Sequence, residues 1–171
     1  MSDATLTTPG PQGAAVRLER LLPDPPQTVW QALTDHEQLK AWFPCEVIVD
    51  GGLWKVGTSI TFPFGPEADN VTLSGEVLEV REPELLVFTW GDETLRFELT
   101  PQDGGTRLVL VDELRPGIAA RNAVGWENCL DRLAGKTPAE GKDAWRSAFE
   151  HYTAAFEPEL GPQEGLPASA Q

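Results

Sequence analysis

The chain has 171 residues and a mass of 18.7 kDa, and its 13 Lys and Arg against 27 Asp and Glu give a formal charge of −14. That balance argues against nucleic-acid binding, because phosphate contacts need clustered bases, and 40% hydrophobic residues argue against a chain that is disordered throughout. A chain of this length can build one core without metal or disulfide staples. Its two cysteines, Cys45 and Cys129, belong to no metal-ligand or Cys-x-x-Cys pattern.

Residues 1–13 are rich in Thr, Pro and Gly, and residues 158–171 are similar. Both segments hold too little apolar area to offset their ordering entropy, so they read as flexible tails around a single domain over residues 14–157. The N-terminus carries Asp3 where a secretory signal needs positive charge, and no apolar run reaches the length of a membrane span. A cytoplasmic protein without membrane insertion is expected.

The folded part opens on AAVRLERLL (14–22), where Val16 and Leu18 alternate with polar neighbours as a half-buried strand does. Asp24-Pro25-Pro26-Gln27 then combines a capping acid with a proline at the first helical position, ahead of Val29, Trp30 and Leu33 at helical spacing. Thr34-x-x-Glu37 repeats the capping pattern, so a second short helix carries Leu39, Trp42 and Phe43 and stops at Pro44.

From residue 46 to 114 the period becomes two, and Gly- and Asp-rich turns divide the segment into about six strands. With the first strand this makes seven, joined mostly as antiparallel hairpins. Pro63 places the TSITFPF strand at or near a sheet edge, since proline cannot donate to a ladder. After Pro116-Gly117 the helical period returns, with Ala119, Ala123, Trp126, Leu130 and Leu133 on one stripe. Thr137-Pro138-Ala139-Glu140 reads as a third capping box before a last helix bearing Trp145, Phe149, Tyr152 and Phe156. A one-faced antiparallel sheet needs a cover, and the helix after it is the available one.

Five segments in this order, VWQALTDHEQLKAWF (29–43), GGLWKVGTSITFPF (51–64), SGEVLEVREPELLVFTW (74–90), LRFELTPQDGGTRLVLVDEL (95–114) and GWENCLDRLAG (125–135), resemble the heat-shock-protein-90 ATPase activator-like branch of the START-like (SRPBCC) superfamily. The resemblance implies an α+β helix-grip fold: a curved seven-stranded antiparallel sheet around a long C-terminal helix, with two short helices after the first strand. It also implies a spread of roles, from lipid binding to cyclase-like catalysis.

An incompletely closed space between sheet and helix is where an apolar pocket forms. Trp42, Phe43, Trp54, Phe62, Phe64, Trp90 and Trp126 are its candidate aromatic lining, although ordinary core packing accounts for aromatics just as simply. Asp112 shares the parity of Leu108, Leu110 and Leu114. A bulge or fraying strand end that turns it outward is the simpler reading; held inward, it would be a polar anchor or a carboxyl of raised pKa.

Catalytic groups are sparse: His36 and His151 read as surface residues, Cys45 has no base beside it, and no cofactor or metal site is expected. The function expected is non-catalytic binding of a small hydrophobic or amphipathic molecule. The alternatives are a cyclase- or hydrolase-like enzyme acting on an aromatic or polyketide-type substrate, with Asp112 as first suspect, and an interaction module for a chaperone or other protein partner, a second copy of the chain included.

Overall fold

A computed structural model describes residues 3–166. Eight strands, β1 (Thr5–Leu6), β2 (Ala14–Leu22), β3 (Ile48–Val49), β4 (Ser59–Pro63), β5 (Thr72–Arg81), β6 (Leu85–Trp90), β7 (Glu93–Gln102) and β8 (Gly105–Leu114), form one antiparallel sheet in the order β1-β2-β8-β7-β6-β5-β4-β3. Helices α1 (Pro26–Thr34) and α2 (His36–Leu39) bridge β2 to β3, and α3 (Ala119–Leu133) and α4 (Lys142–Leu160) follow the sheet. This is the α+β helix-grip arrangement, with one strand more than the seven expected.

The extra strand arises in the segment read as a tail. Thr5 and Leu6 pair with Arg17 and Val16, Ala4 is buried, and the Ala4 N–H donates to the Tyr152 hydroxyl at 3.0 Å. A composition rich in Thr, Pro and Gly hides this docking, because two backbone pairings and one small apolar side chain suffice for it. Removing the acceptor strands a buried N–H, so Tyr152→Phe is expected to cost about 1–2 kcal/mol in urea unfolding. An unchanged midpoint would mean that residue 4 has found water instead.

The other end differs too. α4 runs through Pro158 to Leu160, and residues 161–166 lie back along the start of α3, while residues 167–171 of the expected tail fall outside the described part. The caps also shift. Asp35 rather than Thr34 caps α2, accepting from the Gln38 N–H at 3.0 Å, while the Thr34 hydroxyl donates to Trp30 O within α1. α1 has no side-chain cap, and α4 begins at Lys142 after Gly141, so Thr137 caps nothing.

Strand parity sets the core. Val16, Leu18, Leu86, Phe88, Leu95, Phe97, Leu99, Leu108, Leu110 and Leu114 are all buried on the gripping face. α3 lies against β2 with Ala119, Ala123, Trp126 and Leu130 buried, and α4 packs on α3 through Tyr152 and Phe156. At the far edge β3 covers only Ile60 and Thr61 of β4, which leaves Pro63 facing an open side, as its missing donor requires.

Candidate ligand-binding site

The seven aromatic candidates gather into one ring cluster. Phe43 is its hub, with ring centroids 5.5 Å from Trp42, 6.1 Å from Phe62, 5.9 Å from Trp90 and 5.6 Å from Trp126. Trp54 lies 5.4 Å from Phe88, Phe64 lies 6.2 Å from Trp90, and Phe88 with Phe97 extends the cluster across the sheet. These rings occupy the space between sheet and α3 where a central cavity was expected.

What stays open is a cleft of about 170 Å³ at one end of α3. Pro44, Trp90 and Trp126 supply apolar walls, α3 contributes Arg121, Asn122 and Gly125, and Leu166 comes from the segment after α4. Trp90 and Trp126 are thus the sequence candidates that line it; Trp42, Phe43 and Phe62 are buried behind, and Trp54 is tied by its indole N–H to Thr34 O at 2.9 Å. Larger depressions, about 440 Å³ over the turns at Asp103-Gly104 and at Gly51 and about 250 Å³ beside Arg96 and Glu98, have no aromatic walls.

Asp112 points inward. β8 pairs with β2 and β7 in unbroken register through it, so no bulge turns it out, and it is 0% exposed. Its Oδ2 accepts from the Trp126 indole N–H at 2.8 Å and from Asn122 Nδ2 at 3.1 Å. Its Oδ1 receives no N–H; the neighbouring group is the carboxyl of Glu93, whose Oε1 accepts from the same Asn122 amide at 2.7 Å. Burial raises the pKa of both carboxyls, and the charge of Asp112 raises that of Glu93 further. Two buried carboxyls cannot both ionise cheaply, so the pair favours holding one proton between them.

Reading the strand from Thr94 hid Glu93. It shares the parity of Leu95, Phe97 and Leu99, and β7 extended one residue further back places it on the gripping face. Asn122 was equally legible as the residue one helical turn before Trp126. Arg121 and Gly125 share that relation, and neither the charge nor the glycine drew notice because neither belongs to the apolar stripe.

Thiol chemistry has no support here. Burial pushes both Cys45 and Cys129 up to about 12. His36 is half-exposed beside Glu46, and His151 is exposed beside Asp3 at 2.7 Å, both remote from the cleft lining. Among the described residues no three His, Cys, Asp or Glu side chains gather as a metal would need, and no helix is long and apolar enough to cross a membrane.

Comparison with known proteins agrees with this architecture. The family described as "Activator of Hsp90 ATPase homolog 1-like protein" matches residues 24–136. Among solved structures, CalU16 from Micromonospora echinospora is similar at 21% identity with a TM-score of 0.73, over 91% of this chain and 98% of that one. EF2215 from Enterococcus faecalis, a conserved protein of unknown function, is similar at 24% identity with a TM-score of 0.70, over 89% of each chain. DynU16, a protein of the dynemicin biosynthetic locus, is 28% identical with a TM-score of 0.61, over 71% of this chain and 46% of that one. A comparison with curated proteins gave no significant match.

Proposed function

The chain belongs to the activator of Hsp90 ATPase homologue 1-like family, and from that membership and the geometry at the end of α3 we propose that it binds a small hydrophobic or amphipathic molecule in the aromatic-walled cleft without transforming it. The observation that carries this reading is Gly125. A glycine inside a helix costs about 1 kcal/mol relative to alanine, and a Cβ built there meets no atom within 4 Å. Packing therefore does not require it. Its place in the cleft lining gives it a use, since a larger side chain at 125 would take up part of the open space that Trp90 and Trp126 also line.

The test follows from that cost. Gly125→Ala is expected to stabilise the fold by about 1 kcal/mol, and Gly125→Leu to fold normally yet fill the cleft. The protein purified from its own host is expected to show, in native mass spectrometry, a mass excess that disappears on unfolding and is absent in Gly125→Leu. A clean apo mass, with no change in tryptophan fluorescence against fatty acids, sterols and polyketides, would overturn the reading.

One observation favours a second reading, an enzyme acting on an aromatic or polyketide-type substrate. The Glu93–Asp112 pair lies directly behind Asn122 and Trp126, so a proton is stored one residue from the cleft. Turnover on such a substrate would have to fall in Asp112→Asn; turnover left unchanged removes this version.

A further inference from the structure

The segment after α4 is built into the mouth of the cleft. Gly161, at φ 82, turns the chain at the end of α4. Gln163 then supplies the side-chain cap that α3 lacks from its own residues: its Oε1 accepts from the Ala120 N–H at 2.9 Å, and its Nε2 donates to Pro116 O at 3.0 Å and to Gly161 O at 3.1 Å. The Glu164 N–H donates to Gly117 O at 2.8 Å, and its carboxylate pairs with Arg115. These contacts deliver the next two residues to the cleft, where Gly165 O accepts from the Arg121 guanidinium at 3.2 Å and Leu166 joins the lining beside Trp90 and Trp126.

The chain thus presents to its own cleft an apolar side chain flanked by a carbonyl oxygen, the oxygen on a cation and the apolar group among indole rings. We infer that residues 161–166 are a resident occupant of the cleft mouth, and that the external ligand is built alike: one ring or branched apolar group seated where Leu166 lies, flanked by a carbonyl or carboxylate oxygen on Arg121. This rests on the cleft being the ligand site. About 170 Å³ stays open with Leu166 in place as a wall, below the usual range for drug-sized ligands, so a small ring system fits once it also takes the space of the Leu166 side chain.

An occupied seat lowers apparent affinity by the fraction of molecules in which it is empty. Full-length protein is titrated with 2-naphthoate by tryptophan fluorescence, alongside Leu166→Ala, which vacates the seat, and Gln163→Ala, which releases the segment without touching the lining. Both variants are expected to bind about tenfold more tightly than the parent, as for a seat empty in about a tenth of molecules. Arg121→Gln is expected to lose most of its affinity for 2-naphthoate and to keep that for the neutral 2-naphthylmethanol. If the parent binds and Leu166→Ala binds no better, the resident occupant is refuted while the cleft stands. If the parent and both segment variants all fail to bind, this inference and the ligand-site reading fall together.

Discussion

Glu93→Gln is expected to make the protein more stable than the parent at pH 9, by about 2 kcal/mol or more, and to leave stability at pH 5 nearly unchanged. Folding raises the Glu93 pKa above its ordinary 4.5, mainly through burial and the adjoining charge of Asp112. The folded chain therefore holds a proton that the unfolded chain has released, and that contribution is complete below the unfolded value. It is lost as pH climbs toward the folded one. Asp112, raised from 3.8 by burial, acts with the same sign. Glutamine keeps the geometry: its amide can donate to Asp112 Oδ1 and its carbonyl can accept from Asn122, where Glu93 accepts at 2.7 Å. Urea unfolding of both proteins at pH 5, 7 and 9 checks this. The formal charge of −14 weakens any such protein at high pH, so the difference between the two curves carries the result. Parallel curves would mean that the pair stores no proton, and the enzymatic reading would lose its support.

How much of this was legible depends on the range over which each signal acts. Period-two alternation placed Phe97, Leu110 and their neighbours on the gripping face, and helical spacing placed Trp126 and Leu130 toward the sheet, because both are local consequences of backbone geometry. Parity also pointed Asp112 inward, yet the desolvation cost argued for turning it out. The donors that reverse that cost, Trp126 and Asn122, lie on α3, across a gap that no local pattern spans. The same limit hid the ends. Ala4 and Gln163 each make a few specific hydrogen bonds to distant residues, and composition, which measures apolar area, does not register them. The aromatic candidates were found as a group and not as a site, because sequence cannot weigh ring volume against the space enclosed.

Phe43→Ala tests that balance, and it is the substitution with the largest expected effect. The ring meets five others, among them both indoles of the cleft, and it is 7% exposed. Truncating a buried phenylalanine costs about 3–5 kcal/mol, part of it for the void left behind. The void here opens between Phe62, Phe88 and the Trp90–Trp126 pair, whose centroids are 5.4 Å apart, so it extends the cleft inward instead of forming a sealed hole. Stability and binding volume thus trade against one another through a single ring. The variant is expected to recover about 2–3 kcal/mol in urea unfolding when saturated with a polycyclic acid such as pyrene-1-carboxylate at roughly a hundredfold its Kd, a ligand too large for the parent cleft. Phe43→Leu, costing less, serves if the alanine variant does not fold. A loss of stability with no recovery on adding the polycycle would show that the core collapses around the gap, and that the ring cluster is packing alone with no latent cavity beneath it.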